Sequence, residues 1–322
     1  MRRLLLVAAA AVLAVSAAGP AAADSGSGML AWGSNNFGQL GTGAGGGFTP
    51  RPVLEGALAG KRVTSVSGGT GHSCAIADGE LFCWGAGGSG RLGTGSNDNA
   101  PVPVAVAGLA GTRVTAVSAG NLHTCAVADG SAYCWGSDTA GQLGNGDGGN
   151  SSVPVEVGGL LTGKTVTSIT TGQNHTCAIA DGAAYCWGGG NLGALGNDAL
   201  DSSPVPVAVQ GMGNQTVTSI RAGFTHTCAT ADGFVYCWGL DTSGQLGNNS
   251  NGMTVKVATL VAGPITAKVA TAVRVGEDHS CALVGGDVYC WGSDTYGQLG
   301  NGPGGPVYSP ELVAGLPAGK VT

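Results

Sequence analysis

Five histidines, His72, His123, His175, His226 and His279, each stand two residues before a cysteine, and a second cysteine follows nine residues after the first. An imidazole with two thiolates is a legitimate zinc ligand set, and an imidazole is the commonest general base. Two cysteines can also close a disulfide. Metal sites usually carry a tight C-x-x-C pair, and this spacing matches none. A catalytic centre needs an asymmetric convergence of different groups, whereas this trio returns in every copy. No G-x-S-x-G elbow, Walker loop or H-E-x-x-H occurs. The reading is no metal, no cofactor and no enzyme, with the histidines architectural.

The residues between the cysteines point to the third chemistry. In HTCAIADGAAYCWG, residues 175–188, Asp181-Gly182 lies midway between Cys177 and Cys186. A two-residue Asp-Gly loop favours a type I′ hairpin, because both central residues need positive φ. Counting outward from that tip sets Cys177 opposite Cys186 in a non-hydrogen-bonded pair. Cross-strand Cα separations of about 4.5–5.5 Å there are within disulfide reach. The same count pairs Cys74 with Cys83, Cys125 with Cys134, Cys228 with Cys237, and Cys281 with Cys290 across Gly285-Gly286. Such bridges belong to an oxidising compartment.

These hairpins belong to a larger period. Trp32, Trp84, Trp135, Trp187, Trp238 and Trp291 recur every 51–53 residues, each followed by Gly. A unit runs V-T-x-V-x-x-G, H-[ST]-C-A, a turn, [YF]-C-W-G, G-Q-L-G, then a Pro-Val stretch such as residues 101–104. Its segments are β-branched or aromatic and bounded by glycine, as short strands are. Four short strands per unit of about 50 residues is the make-up of a propeller blade rather than of a solenoid coil. Strand alternation puts His175 on the cysteine face opposite Gly188. Tyr185 and Trp187 fall on the other face, expected to pack against the next blade.

The N-terminal residues read as an export signal. Arg2 and Arg3 precede an apolar run from Leu4 to Val15, and Ala21-Ala22-Ala23 offers a cleavage site. Residues 1–23 are therefore expected to be removed, leaving a secreted chain that starts at Asp24. No later stretch is apolar enough to span a bilayer. Without Arg2 and Arg3 the 13 basic residues fall to 11 against 19 acidic ones, a net charge of −8. With no basic cluster to neutralise phosphates, nucleic acid is excluded as a partner, and an anionic membrane surface is disfavoured.

At G-x-x-H-[ST]-C-A, [YF]-C-W-G, G-Q-L-G and the proline that follows, the sequence resembles the RCC1 (regulator of chromosome condensation) repeat family over roughly residues 29–322. The resemblance implies an all-β fold, a seven-bladed β-propeller whose two chain ends share one blade. Residues 24–322 would form that single domain. The founding activity, nucleotide exchange on a small nuclear GTPase, is not carried over to an exported, acidic chain without a basic arm. Six units are present, five with complete hairpins. Ala31 stands at a cysteine position, so its partner strand is expected from the C-terminus. There Gly319-Lys320-Val321-Thr322 begins a unit that is not finished. The expectation is a C-terminal truncation, by a strand pair for six blades or by a further repeat for seven.

In such arrays function is expected where copies differ. The residues before each histidine do differ: Thr70-Gly71, Asn121-Leu122, Gln173-Asn174, Phe224-Thr225 and Glu277-Asp278. They are the candidate binding face. Other departures are Phe48, Arg51, Arg91 and Ala194 in place of the G-Q-L-G glutamine, Arg221 and Tyr296. The expected function is that of a monomeric, non-catalytic scaffold binding a protein or a cell-surface polymer. The alternative is an extracellular hydrolase inhibitor similar to the propeller-type β-lactamase inhibitor, whose binding face is rich in aromatics. Phe224 is the lone aromatic among these pairs. A polysaccharide-cleaving enzyme would need clustered carboxylates, approached here by Glu277-Asp278 alone.

Overall fold

The computed structural model describes residues 12–14, 28–43, 45–54, 56–250, 252–302 and 304–316. Apart from the backbone of residues 12–14, the expected export signal lies outside the described residues, as do residues 317–322.

The described residues form short strands and 3₁₀ turns. A three-stranded sheet contains β1 (Val12–Ala14), β2 (Met29–Gly33) and β3 (Gly47–Pro52). Five four-stranded sheets follow. The first joins β4 (Val63–Gly68), β5 (His72–Ala77), β6 (Glu80–Gly85) and β7 (Ala100–Ala105), and the second β8 (Val114–Ala119), β9 (His123–Ala128), β10 (Ser131–Gly136) and β11 (Ser151–Glu156). The third joins β12 (Val166–Thr171), β13 (His175–Ala180), β14 (Ala183–Gly188) and β15 (Ser203–Ala208). The fourth holds β16 (Val217–Ala222), β17 (His226–Ala231), β18 (Phe234–Gly239) and β19 (Val255–Leu260). The fifth holds β20 (Ala270–Val275), β21 (His279–Val284), β22 (Asp287–Gly292) and β23 (Val307–Leu312). Each is an antiparallel meander in chain order, as expected for blades. The chain divides into two compact units, residues 1–139 with 147–157, and residues 140–146 with 158–322.

The hairpin arithmetic holds in all five complete copies. Cys177 faces Cys186 and His175 faces Gly188, and the five cysteine pairs are bridged at S–S distances of 2.08–2.13 Å. Cα separations of 4.0–4.1 Å are shorter than expected. At the tips, Asp181 (φ 50°) and Gly182 (φ 76°) adopt the left-handed conformation of a type I′ turn. The aspartate has a second task. Its carboxylate accepts the N–H of the residue just before the first strand of the same sheet, Thr165 for Asp181 (3.2 Å) and Thr216 for Asp232 (3.2 Å). Gly285 has no carboxylate to do this.

One expectation needs correction. The tryptophans pack on the preceding repeat, not the next. Trp238, fully buried, joins the cluster built on Cys177, Cys186 and Ile179, and Trp135 joins the one built on Cys74, Cys83 and Ile76. The flat disulfide face of one sheet leaves room that the indole ring of its successor fills. In the three-stranded sheet β2 pairs with β1, Val12 opposite Ala31; residues 317–322, after which its partner strand is expected, lie outside the described residues.

Candidate binding face

The histidines determine how the candidate face is held. His72, His175 and His226 are buried. Each ring Nε2 meets a hydroxyl of the next repeat: Thr124 at 2.7 Å, Thr227 at 3.0 Å and Ser280 at 3.0 Å respectively. Those hydroxyls already donate their single proton to a main-chain carbonyl. Thr124 gives it to Arg91 (2.8 Å), Thr227 to Ala194 (3.2 Å) and Ser280 to Gln245 (2.9 Å). The hydroxyl oxygen must therefore accept, and the imidazole is the neutral Nε2–H tautomer. The same carbonyls accept the indole N–H of Trp135, Trp238 and Trp291, each at 2.9 Å. One carbonyl at the G-Q-L-G glutamine position thus latches two side chains of the following repeat. Since only the carbonyl is used, Arg91 and Ala194 serve as well as glutamine.

Burial pushes these imidazoles far below the ordinary histidine range, to about 3 for His72 and His226 and about 4 for His175. Protonation would fall on Nδ1, and in His72 and His226 that atom has no hydrogen-bond partner. The G-x-x-H glycine has a steric cause. A Cβ on Gly172 would lie 2.3 Å from His175 Cε1, and one on Gly276 2.1 Å from His279 Cε1. His279 is half-buried, lowered chiefly by burial, with Asp278 and Glu277 pulling the other way. The cysteines are all in disulfides, with none free. Among the described residues no group of three or more His, Cys, Asp or Glu is placed to hold a metal ion.

The pairs before the histidines are brought into rows within each unit. In the second unit Gln173 N–H donates to Phe224 O (3.1 Å) and Phe224 N–H to Glu277 O (3.2 Å). In the first unit Thr70 N–H donates to Gly120 O (3.2 Å), and Arg91 Nη1 reaches Asn121 O (3.2 Å). The residue just before each histidine also fixes the loop after Trp-Gly. Gly71 O accepts Ala86 N–H, Leu122 O accepts Ser137 N–H, and Asn174 O accepts Gly189 N–H. Thr225 O accepts Leu240 N–H and Asp278 O accepts Ser293 N–H. Main chain is thereby consumed while side chains differ. Thr70, Asn174, Phe224, Glu277 and Asp278 are exposed; Asn121, Leu122, Gln173 and Thr225 are half-buried; Gly71 is buried.

A further aromatic was missed among the candidates. Phe37, half exposed, lies against Gly71, where an added Cβ would come 3.4 Å from its ring. Tyr296, 92 % exposed, holds the same repeat position as Phe37. The signal was in the residue before G-Q-L-G, which is as variable as the pairs before the histidines.

Sequence comparison places this architecture in a family. The regulator of chromosome condensation (RCC1) repeat model matches residues 28–76, 78–127, 129–179, 181–230, 232–283 and 285–322. The chain belongs to the RCC1 repeat family, and its fold is an all-β propeller of RCC1-like repeats. It is 33 % identical over 299 residues to the ultraviolet-B receptor UVR8 of Arabidopsis thaliana, covering 91 % of this chain and 67 % of the receptor. It is 33 % identical to the human E3 ubiquitin-protein ligase HERC2 over 303 residues, which is 6 % of that protein. Human WBSCR16 superposes with a TM-score of 0.79 at 24 % identity, over 94 % of this chain and 79 % of that one. Yeast RCC1 (Prp20), solved bound to Kap60, gives 0.75 at 21 % identity, over 89 % and 72 %.

Proposed function

We propose that the chain is an exported, non-catalytic binding propeller that recognises a protein partner through the side chains before its histidines. One observation carries this reading. The segments Gln173-Asn174, Phe224-Thr225 and Glu277-Asp278 are joined main chain to main chain, so an exposed aromatic and two exposed carboxylates stand on a fixed base. Rigid presentation of an aromatic with adaptable polar neighbours lowers the ordering cost of association. The yeast relative's solved structures, titled for Kap60 and for binding to Gsp1p and histones, support protein partners for such propellers. Export is supported by the five disulfides. The neutral, latched histidines support a non-catalytic role, since a general base must reach its substrate.

The test is a cross-linking pull-down from culture supernatant with the wild-type chain and a Phe224→Ala, Glu277→Ala, Asp278→Ala variant. A partner captured by the first and lost by the second is expected. Equal capture by both would move the site elsewhere. A second reading, inhibition of an extracellular hydrolase, is favoured by Phe37 beside Gly71, which adds an aromatic to the first unit's row. Assay of hydrolases with the wild type and Phe37→Ala separates the two.

A further inference from the structure

The first strands of the last two sheets carry a feature that the protein-binding reading does not use. At the register position opposite the first disulfide cysteine, three sheets place small hydroxyls: Ser67 opposite Cys74, Ser118 opposite Cys125 and Thr170 opposite Cys177. The last two place arginines, Arg221 opposite Cys228 and Arg274 opposite Cys281. The hydroxyls show where a side chain at this position reaches. Ser67 Oγ accepts Ala119 N–H (2.9 Å) and Thr170 Oγ1 accepts Ala222 N–H (3.0 Å), each on the first strand of the following sheet.

Applied one sheet further on, the same register brings donors where the earlier sheets bring a hydroxyl acceptor. Gly276 N–H bonds His279 O (2.8 Å), as Gly223 N–H bonds His226 O (2.8 Å). Alternation in an antiparallel pair then turns Val275 N–H away from β21, as it turns Ala222 N–H away from β17. Ala222 finds the Thr170 hydroxyl; at the equivalent place facing Val275 the sequence sets Arg221, whose guanidinium offers donors and no acceptor. Arg221 Nη1 is bonded back to Ile220 O (2.7 Å) and Arg274 Nη1 to Val273 O (2.8 Å). Neither arginine is in an ion pair with a carboxylate among the described residues, unlike Lys61 with Glu80, Lys164 with Asp181 and Lys256 with Asp198. Burial and the neighbouring Arg274 charge pull Arg221 down to about 10. Arg221 is half-buried beside the exposed Arg274, so in a chain with 19 acidic residues against 13 basic ones two neighbouring guanidiniums stand without a paired carboxylate.

We infer that Arg221, Arg274 and the Val275 N–H form an oxyanion site that takes a phosphate monoester dianion. A dianion compensates both guanidiniums, whereas a single carboxylate leaves one uncompensated, and the planar forks suit the tetrahedral oxygens. The phosphate can be free or carried by a small sugar, and the chemistry at the site is the same.

Calorimetric titration of the disulfide-intact protein with inorganic phosphate, and separately with glucose 6-phosphate, tests this at fixed ionic strength set with chloride. One-to-one binding is expected, weakened about tenfold or more in Arg221→Thr, Arg274→Ser. Those replacements restore the hydroxyls that other repeats carry at this register, so the variant is expected to melt as the wild type does. Arg274→Lys, which keeps the charge and loses the fork, is expected to weaken binding severalfold, and it serves if the double variant fails to fold. Tighter binding of glucose 6-phosphate assigns the site to a carried phosphate, and equal binding to the free ion. No phosphate binding by the wild type, or binding unchanged in these variants, would overturn the inference.

Discussion

The two ends of a repeat are held in opposite ways. At the hairpin tip most ties are local: the Asp-Gly turn, the disulfide nine residues apart, and the aspartate that accepts an N–H sixteen residues earlier, with one main-chain bond to the next sheet, Val217 N–H to Gly182 O (2.8 Å). At the histidine end the side chains cross to a neighbour. His175 needs Thr227, Trp238 needs the Ala194 carbonyl, and Gln173 needs Phe224. A locally closed end can be identical in every copy, as the tips nearly are. An end whose main chain is fixed by its neighbours leaves its side chains free to differ, and there the candidate face lies.

Acid should strike the histidine end hardest. The folded state holds His72, His175 and His226 below the ordinary value of 6.5. The unfolded chain therefore binds protons first. The stability that these residues contribute is complete above about pH 6.5 and is lost as pH falls toward 3 or 4. At pH 5 each should cost roughly 2 kcal/mol. A melting temperature that does not drop between pH 7 and pH 5 would show that the latches do not hold neutral imidazoles.

Next in size is the glycine that makes room for the ring. Gly172→Ala puts a methyl group where His175 Cε1 already sits, and about 3 kcal/mol of destabilisation is expected in denaturant titration. A change below half a unit would mean that the histidine end yields where the contrast says it cannot.

Removing one tip bridge, Cys177→Ala with Cys186→Ala, should cost about 2.5–3 kcal/mol by loop closure while leaving the acid sensitivity unchanged. If the pH dependence moved with it, the two ends would not be independent. The smallest effect is expected at the exposed side chain. Phe224→Ala should shift stability by no more than about 0.5 kcal/mol and abolish partner capture. A large loss of stability would make Phe224 part of the latch rather than of the face.

Much of this molecule is readable from residue order because its strand pairs are sequence neighbours joined by two-residue turns. The tip sets the register, the register sets the opposing cysteines, and the period repeats both, so the blades and the five bridges follow without tertiary information. The pairs before the histidines also stand out, since variation within a fixed frame is visible in the letters. The direction in which Trp238 packs is not visible, nor is the hydroxyl that His175 bonds, because those partners lie 44 and 52 residues away. Phe37 beside Gly71 and the nearness of the Arg221 and Arg274 charges belong to the same class. Hydrogen bonds along a strand pair are dictated by local geometry, whereas contacts between sheets depend on how two finished sheets meet, and only their packing decides which side chains do.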